Sequence, residues 1–374
     1  MKTLLGVACF MLSAALLTAQ EKKPDKYRAM IDKGLAWLVK QQADDGSWPG
    51  DKNGMAAVMT AFAGMALLAD GNTLAEGKYA PNLRRSLAWF LRQKPADAKY
   101  DGVLGLDPES PETSSRYMMD HGIALSFLAH LHGEAEGEDR AALRKRLQSA
   151  VAFSVKGQTP FGGWYYTSTI EWHNQTENVS TMLQLQGLID ARNAGIAVPK
   201  KTLEQAHRYL QSSTTERGGV AYSRGQFDGT KFLLVGGGRP AITAMALAAF
   251  VPVDSLRDET TRRWLLFCAE QPDRFALDRL ATARDDLLAH YHFSKVVFHL
   301  TADEWRAAFP DKKMPDHLQW QKYRVAMFDY LNREQGKEGS WELKQRWTLG
   351  PGYNTSLALN ILLYENTIPI RLSR

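Results

Sequence analysis

Asp120 and Asp286 are carboxylates standing where apolar helical runs begin, at ends that present unpaired N–H groups and the positive pole of the helix dipole. A carboxyl there can hold or release a proton. Polar companions lie beside them: His121 next to Asp120, His290 and Tyr291 shortly after Asp286, Asn178 with Thr181, and Tyr353 with Asn354. Arg239 follows Gly236, Gly237 and Gly238 and precedes Pro240; an arginine at a helix start pairs with a carboxylate or a diphosphate. Trp164, leading Tyr165 and Tyr166, adds aromatic surface suited to an isoprenoid body or, by cation–π attraction, to a cationic intermediate. Asp120 and Asp286 are therefore the candidate catalytic residues. Arg239, His121, Asn178, His290, Tyr291, Tyr353 and Trp164 are the candidate ligand-binding residues. A plainer use stands beside each: Asn178, Asp286 and Asn354 occupy capping positions, and aromatic stripes on helices commonly belong to the core.

Metal and nucleotide chemistry are not readable. His290 and His292 are two apart on a helix and point in nearly opposite directions, and no Cys/His or Glu/His ligand spacing occurs, so neither a metal nor a cofactor is expected. The triple glycine before Arg239 lacks the Gly-Lys-Ser/Thr ending of a phosphate loop and reads as a flexible approach to a helix with Pro240 in its first turn.

The elements that must position these residues emerge from self-similarity. Helices ending at Gln41, Gln93, Gln158, Ser213, Cys268 and Gln335 resemble one another, at spacings of 52, 65, 55, 55 and 67 residues. Each carries basic residues on one face and apolar residues on the other, as a surface helix does. Each is followed by a more apolar helix, expected near 54–69, 118–131, 178–191, 241–250, 286–300 and 353–365, whose surface is covered all round. Six hairpins with polar outer and apolar inner members fit two concentric rings, because an open solenoid needs polar capping repeats. The expected fold is all-α, an α/α toroid, with short strands near 219–222 and 231–235. Between the helices of the first, third and sixth hairpins lie Gln41, Gly46 and Trp48; Gln158, Gly162 and Trp164; and Gln335, Gly339 and Trp341. These read as staples: the glycine takes the left-handed conformation that ends a helix, the glutamine amide meets terminal carbonyls, and the tryptophan covers it and packs on the next hairpin.

Residues 1–19 have one lysine, an apolar run from Leu4 to Leu17 and small Ala19 at a cleavage point, the pattern of a secretory signal peptide. That run is about 14 residues, short of the roughly 20 that span a membrane. The expected organisation is a signal peptide over 1–19, a linker over 20–27 and a single toroid over 28–374, secreted or periplasmic. Without Cys9 only Cys268 is left, in an apolar setting that suits a buried small residue. Net charge is +5, but the basic pairs are scattered over separate helices among acids, which argues against nucleic acid.

Lys33-Gly34, Trp37, Gln41, Gly46 and Trp48 match the QW repeat of squalene-hopene cyclases and protein prenyltransferase β subunits. The stretches at 162–166 and 191–200 and the C-terminal segment from Tyr353 resemble secreted, single-toroid prenyltransferase and squalene oxidase repeat proteins of planctomycete-type bacteria. The resemblance spans the whole mature chain and implies the terpenoid-cyclase toroid. It carries less about activity. No Asp-x-Asp-Asp acid motif occurs, the Asp, Cys and His zinc site of the transferases is absent, and so is the Gly-Cys-Gly-Glu-Gln thioester motif. The leading expectation is an exported toroid that binds an isoprenoid-like or other apolar or amphipathic small molecule in its centre. Three alternatives stand: a divergent cyclase or transferase using Asp120 or Asp286, a polysaccharide lyase-like enzyme using Arg239 and Tyr291, and a non-catalytic scaffold for a protein partner.

Overall fold

A computed structural model describes residues 26–367 except 51–54, 96, 106–115, 228–231, 251–255, 257, 272–274, 276–286 and 344–347. The signal-peptide segment and Asp286 lie outside the described residues. Helices α1 (Arg28–Lys40), α3 (Ala80–Arg92), α5 (Gly137–Lys156), α7 (Lys200–Ser212), α9 (Glu259–Ala269) and α12 (Trp320–Glu334) bury one side only. Helices α2 (Ala56–Ala69), α4 (Tyr117–Glu134), α6 (Asn178–Asn193), α8 (Pro240–Phe250), α10 (Leu287–His299) and α13 (Pro351–Leu362) are buried on nearly every side. The second set forms a closed circuit: α2 packs on α4, α4 on α6, α6 on α8, α8 on α10, α10 on α13, and α13 back on α2. The six hairpins thus make an α/α toroid, as the apolar periodicity requires.

Short elements decorate it. Strands β1 (Ser223–Phe227) and β2 (Phe232–Val235) pair antiparallel before α8, the first of them a few residues later than its sequence pattern suggested. Helix α11 (Ala302–Ala308) is an addition to the twelve expected, started by a capping box in which Thr301 and Glu304 satisfy each other's backbone N–H groups. Cys268 is buried on α9, where desolvation pushes its thiol pKa up and away from reactivity.

The staples join neighbouring hairpins through backbone carbonyls. Gln158 Nε2 donates to Gly162 O at 2.8 Å and to Thr202 O on α7 at 2.9 Å; Gln335 Nε2 donates to Gly339 O at 3.0 Å and to Met30 O on α1 at 2.9 Å. In the first hairpin this role belongs to Gln42, bonded to Gly46 O at 2.9 Å and Asn82 O on α3 at 3.0 Å, and not to Gln41. The reason is spacing: Gln42, like its counterparts, stands four residues before the turn glycine, whereas Gln41 still belongs to the helix end. Gly46, Gly162 and Gly339 have φ of 96°, 95° and 110°, yet they sit in the turns and not at helix ends. A Cβ on them would lie 2.3, 2.3 and 2.4 Å from the carbonyl oxygens of Arg85, Gln205 and Lys33. The turn must rest on the next outer helix, and only glycine permits both the approach and the conformation. The Gly339 contact with Lys33 joins the last hairpin to the first and closes the outer layer.

The tryptophans tie outer helix to inner helix within a hairpin. Nε1 of Trp48, Trp164 and Trp341 donates to Leu38 O, Ser154 O and Leu331 O, each at 2.8 Å. Their backbone N–H groups reach Thr60, Thr181 and Thr355 Oγ1 at 2.9, 3.0 and 3.1 Å. Val220 N–H repeats the second bond with Thr243 Oγ1 at 2.9 Å.

Candidate functional site: the axial lumen

Those threonines fix the rotation of their helices. Thr60, Thr181, Thr243 and Thr355 point to the outer layer, and in α4 His121 replaces them, its Nδ1 accepting the Leu104 N–H at 2.9 Å. In α10 the corresponding outward residue is His290, 3.0 Å from the Tyr323 hydroxyl on α12. An α-helix turns about 100° per residue, so the opposite face of each inner helix looks along the ring axis. Two contacts confirm this phase. The Tyr291 ring packs edge-on against Phe62 with centroids 5.5 Å apart, and its hydroxyl lies 3.9 Å from Met65 Sδ, although α13 stands between α10 and α2 in the ring.

The axial faces divide into two belts. Toward the inner-helix N-termini the wall is apolar: Phe62 from α2, Met119 and Ile123 from α4, Leu183 from α6, Met245 from α8 and Leu357 from α13. Methionine side chains adapt to irregular apolar shapes. One turn or two further on, the wall becomes polar. Ser126 Oγ donates to Asp190 Oδ2 at 2.5 Å, Gln186 Nε2 to Asp190 Oδ1 at 2.9 Å, and Asn360 Nδ2 to Phe62 O at 2.9 Å. Opposite them Lys295 Nζ donates to the Tyr291 hydroxyl at 2.8 Å and lies 4.0 Å from the ring centre. Val179 and Gln186 on the axial face of α6 keep partial exposure. On the α13 side, Phe62, Tyr291 and Tyr353 fill the lumen with edge-on aromatic contacts.

Burial shapes the ionisable groups. His121 is lowered to about 3 by desolvation and then by the Arg146 charge, and His290 to about 4 by desolvation. His292 also falls well below the ordinary imidazole range, through desolvation and then the charge of Lys295. The Tyr364 phenol is pushed up by burial and then by the electrostatic influence of Tyr291 and Asp190.

The candidate residues separate by depth and direction. Tyr291 and Tyr353 face the lumen. His121, Trp164 and His290 face the outer layer and serve the wall: Trp164 is fully buried, and His121 Nε2 lies 2.9 Å from Ser154 Oγ. Asn178 links α6 to the loop before α8, its Nδ2 donating to Ala221 O at 2.8 Å and its N–H to Tyr222 O at 3.0 Å. It does not cap α6; Glu177 does, its carboxylate accepting from Val179 and Ser180 N–H at 2.8 Å each. Asn354 likewise is no cap, since α13 starts three residues earlier at Pro351 and Asn354 accepts from Thr348 Oγ1 at 2.8 Å. Asp120 is fully buried in the first turn of α4, packed toward Ala57 and Gly105. Arg239 is exposed at the rim, its guanidinium 4.6 Å from the Tyr222 ring centre; Tyr222 is hydrogen-bonded through its hydroxyl to Tyr166, over which Arg116 stacks at 4.9 Å. Among the described residues no group of three or more His, Cys, Asp and Glu could hold a metal ion, and no helix is long and apolar enough to cross a membrane. Lys295 went unnoticed in the sequence. Its signal was a Tyr-x-x-x-Lys spacing on an otherwise apolar inner helix, which stacks the two side chains one above the other.

Solved structures share this ring. The type II terpene cyclase MstE from Scytonema is 12% identical with a TM-score of 0.55, over 90% of this chain and 97% of that one. A variant of the same cyclase, solved with its substrate geranylgeranyl dihydroxybenzoate, is 14% identical with a TM-score of 0.55, over 91% and 97%. The GH76A α-1,6-mannanase from Salegentibacter sp. HEL1_6 is 10% identical with a TM-score of 0.60, over 91% and 98%. At such identities the likeness establishes the fold, a toroid common to terpene cyclases and glycosidases. No family model and no curated protein matches the chain.

Proposed function

We propose that this is an exported toroid that binds an amphipathic, isoprenoid-like molecule in its lumen. The observation that carries the reading is the axial wall itself: a methionine- and aromatic-rich belt next to the inner-helix N-termini, leading to a polar belt deeper in. Apolar lining with a few convergent polar groups is the usual character of a small-molecule site. The solved cyclase complex with a geranylgeranyl-bearing substrate supports the choice of ligand class. The uronate-lyase alternative needs Arg239 and Tyr291 on one sugar. It draws less support, since Arg239 stacks on Tyr222 at the rim while Tyr291 is bonded to Lys295 inside.

Native mass spectrometry of protein taken from its own periplasm or medium, followed by solvent extraction, tests the proposal. One bound isoprenoid-class lipid per chain is the expected result. Empty protein that also fails to take up farnesyl or geranylgeranyl compounds would contradict it and favour a scaffold.

Catalysis is a second reading, favoured by one observation: Asp120 is a wholly buried carboxylate at the first turn of an inner helix. Asp120→Asn should abolish turnover of an isoprenoid substrate if this carboxyl is the acid. Turnover unchanged in that variant removes Asp120 from the chemistry.

A further inference from the structure

Among the described residues, the polar belt contains a cation with no carboxylate partner. Lys295 is the only lysine or arginine on the axial faces of the described inner helices, and it is half-buried. Among the described residues no carboxylate lies within ion-pair distance of it, and its Nζ donates to the Tyr291 hydroxyl, whose own proton points to the weak acceptor Met65 Sδ at 3.9 Å. Beside it on the same wall His292 is 3% exposed, faces the axis, and has no hydrogen-bond partner on Nδ1 or Nε2. Across the lumen, Asp190 is already held through both oxygens by Ser126 and Gln186, so it is not a free counter-ion. His299, at the end of α10, is engaged with Tyr364 at 3.0 Å. A cation and a partnerless imidazole withdrawn from water are unfavourable unless something else completes them.

We infer that Lys295, Tyr291 and His292 form a receptor for the anionic oxygens of a ligand head group, so that the ligand enters head first with its apolar chain toward the inner-helix N-termini. This rests on the lumen being the binding site. Lys295 retains free N–H donors, the Tyr291 hydroxyl supplies another, and the neutral His292 one more. Together they match a carboxylate or a phosphate monoester, and charge-assisted bonds of this kind are the strong ones. The polar residues opposite then contact the hydroxyls or chain next to the head.

Isothermal titration of the full mature chain with geranylgeraniol, geranylgeranoic acid and geranylgeranyl monophosphate tests the inference. The acid, the phosphate or both should bind at least ten-fold tighter than the alcohol, and whichever does identifies the head group. Lys295→Met should abolish the preference, bringing that ligand to the affinity that the alcohol has for the same variant, with an unchanged far-ultraviolet circular dichroism spectrum and urea midpoint showing that the variant folds; Lys295→Arg should keep the preference. Equal affinity for all three ligands in the unaltered chain overturns the inference without any variant. So does a preference that survives Lys295→Met but vanishes in Arg239→Ala, because the head would then sit at the rim. Failure of all three to bind is a different outcome: it defeats the lumen reading, and this inference with it.

Discussion

Trp164 and Trp172 lie in one loop and have opposite parts to play. Trp164 is fully covered and bonded at both its indole and backbone nitrogens, whereas Trp172 is 97% exposed. Trp164→Ala should cost about 3–5 kcal/mol in urea unfolding, and Trp172→Ala should stay within about 0.5 kcal/mol. The buried histidines predict acid lability. The folded-state values of His121 and His290, about 3 and 4, lie below the unfolded value near 6.5. Between these limits the unfolded chain binds protons that the folded chain refuses. Their contribution is therefore complete above pH 6.5 and shrinks as pH falls, by up to about 1.4 kcal/mol per histidine per pH unit. Urea midpoints measured from pH 7 to pH 4.5 should fall steeply; a flat profile would contradict neutral burial. At this scale the sequence was partly legible. Tyr291 and Tyr353 could be picked as inner-helix residues, but the direction of His121 and His290 could not, because each replaces a threonine that only the packed turn reveals. Lys295 was hidden for the same reason, since a lone lysine in an apolar helix reads alike whether it faces the axis or snorkels outward.

At the scale of the element, the turn glycine is the most demanding position. Gly162→Ala places a Cβ 2.3 Å from Gln205 O at a φ of 95°, combining steric overlap with left-handed strain. A loss of about 2–4 kcal/mol is expected. Gly71, with φ of 88° and nothing within 4 Å, meets the strain alone, and Gly71→Ala should cost only about 1 kcal/mol. Equal losses, read by chemical denaturation, would remove the packing argument. The hairpins themselves were readable from apolar periodicity to within a few residues, while Gln42 was misassigned as Gln41. Two adjacent glutamines at a helix end are equivalent by composition, and the four-residue spacing to the glycine decides between them.

For the whole molecule, closure is the property on which the lumen depends. Gln335 bonds the last hairpin to the first just as Gln158 bonds two consecutive hairpins, so Gln335→Ala and Gln158→Ala should destabilise alike, each by about 1–3 kcal/mol for orphaned carbonyls. A neutral Gln335→Ala would mean that the ring is open in solution. The ring was foreseeable because inner helices covered on all sides leave no other economical arrangement; which side chains meet at its axis was not, since that depends on the rotation of every helix. The most direct test of the account is photo-crosslinking of the mature chain with a diazirine-bearing geranylgeraniol, followed by peptide mapping. The account predicts saturable labelling of the axial faces of α4 and α6, around Met119, Ile123 and Leu183, and its loss in Val179→Trp, which narrows the lumen at a partly exposed position. Labelling confined to the outer helices, or labelling that unmodified geranylgeraniol does not compete away, would contradict it.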